Sequence, residues 1–384
     1  VTTMTIILLS LTAIVWIFIL IETAIGLKRL PSLDDEPIQT KGPLLSVIVA
    51  ARNEQDHLES SILSQLTQSY QNVEWILVND RSTDETGLIM EKLAAHNPRI
   101  KVVHIKSLLE GWLGKNHALY VGTQMASGEL LLFTDADVRY NKDAFAKAIH
   151  YFLHHQLDHL TAAPGMKGTG IWLKAFIAFF LFGFSYYKRP WRANNPRSKV
   201  GIGIGAFNLI AKSAYQAFGT HEKIKMRPDD DLQLGIKIKQ AGFKQQFVTA
   251  LSLIKVEWYT TLKEAFIGLE KNTFAGLHYR FSMVVFAIIG TFLSQVFPFI
   301  MLLSNNHTVF TLSILNILLL AVLYTIIATR TTQFSPLLFI LFPISALIFI
   351  YAIARASFLT FKRGGIVWRG TTYSLADLRR KESP

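Results

Sequence analysis

The apolar residues of this chain are gathered into membrane-length blocks, and between them lies a region with the charge density of an ordinary soluble domain. Met4–Leu27 is longer than the core of a signal peptide, and no small-residue cleavage site follows it. About 20 such residues cross the hydrocarbon layer as a helix. Residues 1–30 therefore read as a retained anchor, with Lys28 and Arg29 holding its C-terminal end in the cytosol. Beyond Phe281 the chain turns apolar again, and the pattern predicts spans near 281–303, 309–328 and 336–360, with breaks at Pro298, Pro336 and Pro343. A shorter aromatic block, Ile171–Tyr187, runs into Lys188, Arg189, Trp191 and Arg192, the signature of a helix lying in the membrane interface over 171–192. Such a chain is a membrane protein carrying a soluble insert.

The formal net charge of +12 raises the question of nucleic acid. The basic residues sit beside the apolar blocks, which fits attraction to anionic lipid, and no nucleic-acid recognition module accompanies them. With no cysteine the chain has neither disulfides nor cysteine-bound zinc, in keeping with a cytosolic catalytic domain. The two topology signals conflict. Three spans after a cytosolic domain put the C-terminus outside, whereas Lys362, Arg363, Arg369, Arg379, Arg380 and Lys381 mark residues 362–384 as a basic cytosolic tail.

Within the insert, residues 42–280, strand and helix patterns alternate about every 25 residues. Leu45–Ala50 is a continuous apolar run, as expected of a parallel strand buried on both faces, and Val73–Val78, Ile100–Ile105 and Leu130–Phe133 read as three further strands. Helical spacing follows at 55–68, up to Leu93, and at 116–126. The class is α/β with a Rossmann-like, mainly parallel sheet. In such sheets ligands bind beyond the carboxyl ends of the strands, and there the polar clusters fall: Asn53 and Glu54, Asn79 and Asp80, Asp135 and Asp137.

Each cluster suggests a chemistry. Asp135 and Asp137, one residue apart at a strand end, can approach a hard divalent cation and the diphosphate it bridges. Asp80 can accept hydrogen bonds from a base or ribose, while Ser82 or Thr83 caps the next helix. Lys115, between Gly114 and a helix start, can meet phosphate charge. Asp229, Asp230 and Asp231 repel one another unless a cation or helix N-terminus compensates, and a carboxylate there can act as general base. The Gly201–Asn208 segment has the wrong spacing for a dinucleotide fingerprint and reads as a flexible or closely approached loop on the acceptor side.

Six pieces in order, VIVAARNE (47–54), VNDRSTDET (78–86), GWLGKNHAL (111–119), FTDADV (133–138), GIGIGAFN (201–208) and DDDLQLGIKIKQAG (229–242), resemble the family-2 inverting glycosyltransferases of GT-A fold. GWLGK and the stretch 259–276 look most like the non-processive, membrane-associated branch that acts on carotenoid- or hopanoid-type lipids. The resemblance implies a UDP-sugar donor, Mn²⁺ or Mg²⁺, and a lipid acceptor. It implies that Asp80, Asn53, Glu54 and Lys115 line the nucleotide pocket, that Asp137 binds the metal, and that Asp135 contacts ribose or metal. Asp231 then aligns as the base and Asp230 replaces the family's usual Glu, with Asp229 leaving the register open by one residue. No Q-x-x-R-W follows, so single transfer is expected over polymer synthesis. A polyprenyl-phosphate sugar synthase and an inactive transporter or scaffold are the rival readings.

Overall fold

The computed structural model describes residues 2–277, 280–368 and 371–374; Arg369, Arg379, Arg380 and Lys381 lie outside them. The chain divides into two compact units. One comprises residues 30–166 and 190–257; the other comprises 1–29, 167–189 and 258–384.

The first unit is built on an eight-stranded sheet. Its strands are β1 (Leu45–Ala51), β2 (Val73–Asp80), β3 (Ile100–Ile105), β4 (Leu130–Asp135), β5 (Arg139–Tyr140), β6 (His159–Lys167), β7 (Asn208–Ala211) and β8 (Gln245–Glu257). The spatial order is β3-β2-β1-β4-β7-β6-β8-β5. The first four strands run parallel, in register from Leu45 opposite Val73 and Leu130. β7 is antiparallel to both β4 and β6, and β5 is antiparallel to β8. All four runs in the sequence are strands; β1, β2 and β4 are buried along nearly their whole length, whereas β3, at the sheet edge, is only partly covered.

Side chains alternate across a strand, so one face presents Ile48, Ile76, Val78, Leu131, Phe133 and Ile210 as one apolar layer. Against it lie Ala118 and Leu119 from the Gly114–Met125 helix, and Leu234 and Ile238 from the Asp230–Gln240 helix. Gly235 brings the second helix unusually close to the 201–205 segment. A Cβ on Gly235 would lie 1.9 Å from the carbonyl oxygen of Ile202, and one on Gly203 would lie 1.9 Å from that of Asp231. The Gly201–Asn208 loop is therefore clamped against a helix, and of its two sequence readings close approach is the one observed.

The polar stretch after the first apolar helix is strapped to the sheet: Ser32 bridges to Thr249, and Asp34 accepts from the Ser252 hydroxyl at 2.7 Å. One local expectation changes. Neither Ser82 nor Thr83 caps the Thr86–His96 helix. Asp84 accepts from the Thr86 N–H at 3.0 Å, while Ser82 and Thr83 are taken up by Asn53.

The second unit holds, among the described residues, five helices long and apolar enough to cross a membrane: Thr2–Lys28, Gly170–Lys188, Phe281–Met301, His307–Thr331 and Pro336–Arg363. The first packs along His307–Thr331, and Asn316 in their seam donates to the carbonyls of Leu9 (3.0 Å) and Leu312 (2.8 Å). Each expected proline break has a structural counterpart. Pro336 and Pro343 open helical segments, where a missing N–H costs nothing. Pro298 follows a π-turn at Phe292–Val296. It has no N–H to return to Ser294, whose carbonyl instead accepts the indole N–H of Trp16 at 3.3 Å. The aromatic block forms the Gly170–Lys188 helix, closed by Arg189 in the left-handed region (φ 49°). Residues 190–194 form a separate 3₁₀ turn in the first unit.

A methyl group at Gly235 must push helix from loop against backbone atoms that cannot rotate away. Gly235→Ala should cost about 1–3 kcal/mol or more, read as a lowered thermal midpoint by circular dichroism. An unchanged midpoint would mean that this contact is not tight.

Candidate functional site

The order 3-2-1-4 places a crossover between β1 and β4, where loops leaving adjacent strand ends diverge and open a crevice. β4 ends on Asp135, and the next turn carries Asp137. The Asp230–Gln240 helix delivers its first turn to the same place, and the Gly114–Met125 helix contributes Lys115. The cleft between them is lined by Lys115, Thr134, Asp135, Gly205, Asn208, His221, Asp230 and Asp231.

The acidic triplet separates into three environments. Asp229 takes a bidentate pair with Arg227 (2.9 and 3.0 Å) and a bond from Gln233 (2.9 Å). Asp230 is buried and lies 3.3 Å from Lys115 Nζ, which also reaches Asp135 at 2.7 Å. Asp231 accepts from the backbone N–H of Gly205 (2.7 Å) and of Leu232 (2.8 Å). Gly205 is the seam, since its carbonyl also accepts the N–H of Asp135 at 3.1 Å. A Cβ there would lie 2.5 Å from one carboxylate oxygen of Asp135 and 3.2 Å from one of Asp231. The N-cap position, Asp229, makes no side-chain capping bond, so the triplet is more than a helix cap.

Burial and crowding of like charge set the protonation. Asp231 is pushed up to about 7, first by burial and next by Asp230 and Asp135, against the opposing pull of Lys115 and the Leu232 N–H. Asp137 is raised to about 6 by burial, then by Asp135 and Glu54. Burial works against the charge on Lys115, but Asp135, Asp230 and Asp231 outweigh it and hold the ammonium protonated.

The sequence-expected residues thus divide. Asp135, Asp230, Asp231 and Lys115 meet in one cleft, and Asp137 adjoins it through Asp135 and Glu54. Asp80, buried at the end of β2, is chelated by Arg81 at 2.8 and 3.2 Å, with Arg81 in the left-handed region (φ 57°). Asn53 (φ 55°) braces the β1 loop to the β2 loop, its side-chain oxygen accepting the Thr83 N–H at 2.8 Å. The Glu54 N–H bonds Thr86 at 2.8 Å. Sequence reasoning gave no role to Arg81, Asn208 or His221. Asn208 stands in a quoted motif, but nothing in the local sequence of His221 marks it as a cleft residue.

Among the described residues no three His, Asp or Glu side chains converge as a ready-made metal cage. Asp135 and Asp137 nevertheless suit Mg²⁺ or Mn²⁺, which take one or two carboxylates and complete their shells with water and substrate phosphate oxygens. The donor set fits a substrate-bridged ion rather than a structural one.

A crossover cleft lined by acidic side chains beyond the ends of parallel strands lies where open α/β sheets bind their ligands. Residues 46–219 match the family Glycosyl transferase family 2, a family of enzymes that transfer sugars. The chain is 32% identical over 115 residues to an uncharacterized glycosyltransferase of Haemophilus influenzae, a match spanning 30% of this chain and 44% of that protein. A 4,4'-diaponeurosporenoate glycosyltransferase of Staphylococcus aureus aligns over 364 residues at 23% identity, covering 92% of this chain and 94% of that one. Among solved structures, the mannosyltransferase PcManGT of Pyrobaculum calidifontis, in complex with GDP-Man and Mn²⁺, superposes with a TM-score of 0.56 at 15% identity. It covers 92% of this chain and 99% of its own, so the sheet is of the GT-A type.

The raised Asp231 predicts a specific pH dependence of stability. A carboxyl held near 7 in the fold and near 3.8 when unfolded favours its protonated form, so stability falls as pH rises through that window and levels off above it. Asp231→Asn, in EDTA, should raise the thermal midpoint by a margin that widens from pH 5 to pH 8. A pH-independent margin would contradict the assignment.

Proposed function

We propose that the protein transfers a single sugar from a UDP-sugar to a membrane lipid bearing a hydroxyl or carboxylate, with inversion at the anomeric carbon and dependence on a divalent cation. The observation that carries this reading is the cleft itself. It sets Asp231, a carboxylate poised near neutral pH on backbone N–H donors, beside Asp135 and Lys115 at the end of β4. The S. aureus relative, aligned almost end to end, is named a 4,4'-diaponeurosporenoate glycosyltransferase, and the five apolar helices suit an enzyme whose acceptor stays in the bilayer.

The step is one in-line displacement. Asp231 accepts the proton of the acceptor hydroxyl as its oxygen bonds the anomeric carbon. The bond from that carbon to the diphosphate oxygen breaks, and its electron pair leaves with UDP. Asp137 and Asp135 would hold Mn²⁺ or Mg²⁺, which when bound neutralises the charge growing on the diphosphate. Lys115 adds a fixed positive charge beside it, and Asp80, Asn53 and Glu54 shape the nucleotide side of the pocket. An acceptor carboxylate is already ionised, so it needs little help from Asp231. The catalytic unit belongs on the cytosolic face, where nucleotide sugars are available, with the basic residues near the apolar blocks meeting anionic lipid.

Asp231→Asn should lower single-turnover transfer to a hydroxyl acceptor by about 10²–10⁴-fold while UDP affinity changes little. Unchanged turnover removes Asp231 from the base role. Chelation with EDTA should abolish transfer and Mn²⁺ should restore it in the wild type, whereas Asp137→Ala should show no restoration. Metal-independent turnover would overturn the cation assignment. A cysteine introduced at Ser374 should be labelled from the cytosolic side; labelling from outside reverses the proposed placement of the C-terminal segment.

A further inference from the structure

Asn208 lines the cleft beside Asp135, Gly205 and Asp231, and it is 1% exposed. Which end of its amide faces a ligand is decided two side chains away. The Gln245 side chain is held by two backbone groups: its Oε1 accepts the Ile202 N–H at 3.0 Å, and its Nε2 donates to the Gly235 carbonyl at 2.8 Å. A backbone N–H only donates and a carbonyl only accepts, so this amide has one orientation. The second Nε2 hydrogen points at His159 Nδ1, 2.7 Å away. Nδ1 is therefore an acceptor, and a neutral imidazole must then carry its proton on Nε2. His159 is fully buried, which pulls its pKa down to about 4 and keeps the ring neutral. Its Nε2 lies 3.0 Å from Asn208 Oδ1, so it is the amide oxygen that turns inward. The two N–H donors of Asn208 Nδ2 are left directed away from His159, at the wall of the cleft.

We infer that Asn208 donates a hydrogen bond to a hydroxyl of the transferred sugar, and that Gln245 and His159 are positioning residues that keep the donor outward. The inference rests on the nucleotide-sugar reading above and adds the residue that reads the sugar. The phosphate charge is matched by Lys115 and the cation ligands, whereas a neutral amide matches a neutral hydroxyl oxygen. Asn208 stands beside Asp231 and Asp135, on either side of Gly205, where the reacting sugar belongs rather than the base. A buried donor also penalises the wrong sugar, because a substrate lacking the partner hydroxyl leaves that donor unpaired. Asn208 thus acts as a specificity determinant as well as a contact.

The test uses the full chain in nanodiscs, the UDP-hexose that it turns over fastest, and the 2-, 3- and 4-deoxy analogues of that donor. The wild type should disfavour one analogue by about 10²-fold or more in kcat/KM. Asn208→Ala should erase the preference at that position alone, with UDP affinity within about threefold of wild type. Discrimination retained at every position, or UDP and UDP-hexose weakened by one common factor, overturns the inference. A wild type that neither binds UDP nor turns over any UDP-hexose overturns the nucleotide-sugar reading, and this inference with it. For the positioning residues, His159→Gln can still accept from Gln245 and donate to Asn208, so it should keep the preference, and His159→Leu should lose it. Nitrogen-15 spectra of the wild type should show His159 as the Nε2–H tautomer. An Nδ1–H tautomer overturns the chain of orientation, even if the leucine variant fails to fold.

Discussion

Crowding of negative charge is the constraint on which the rest of this site depends. Asp135, Asp230 and Asp231 share one cleft with Asp137 adjoining it, and nothing in the acidic side chains themselves would keep them there. They are held by one partly buried ammonium, Lys115, bridging Asp135 and Asp230, and by the backbone of Gly205, which bonds Asp231 on one side and Asp135 on the other. Charge-assisted bonds of this kind contribute about 1.5–3 kcal/mol each, enough to hold the carboxylates close but not to make all of them comfortable as anions. The residual strain appears as the raised pKa values of Asp137 and Asp231. It disfavours leaving every carboxyl of the cleft charged at once.

The fold supplies the geometry for this at small cost in sequence. Parallel strands β1 and β4 end at the crossover, and one helix leaves β3's side of the sheet while another arrives from beyond β7. Glycines at 203, 205 and 235 remove the side chains that would keep loop, helix and strand end apart. The same closeness lets backbone groups at Ile202 and Gly235 orient Gln245, and through it His159 and Asn208. The acidic wall and the neutral wall of the cleft are thus tied to one loop-helix contact.

The apolar unit follows a different rule. In helices this apolar, a backbone group left without its helical partner needs another within the protein, and where Pro298 supplies no N–H the carbonyl of Ser294 accepts the indole N–H of Trp16. Asn316 serves in the same way, taking a carbonyl from the first helix and one from its own. Trp16 and Asn316 are therefore joints between helices.

What the sequence determined by itself is whatever depends on residue type at short range. The first four strands, the apolar helices, the strand-end position of Asp135 and Asp137, and the helix-start position of the acidic triplet all follow from local periodicity and charge. Six ordered motifs were enough for the family, because each places a polar residue at a strand or helix end whose position in the sheet is then implied. What only the tertiary structure decided is how partners far apart in the chain are shared out. Asp229, Asp230 and Asp231 are chemically identical in sequence, and they part only because Arg227, Lys115 and Gly205 each capture one. Asp80 was legible as a site residue, but its pairing with Arg81 required a left-handed backbone at Arg81 that no local signal announces. The direction of the Asn208 amide is the extreme case, since it is set by backbone atoms that reach it only through two other side chains. Hydrogen-bond polarity passes through space from group to group, and the sequence records the groups but not their adjacency.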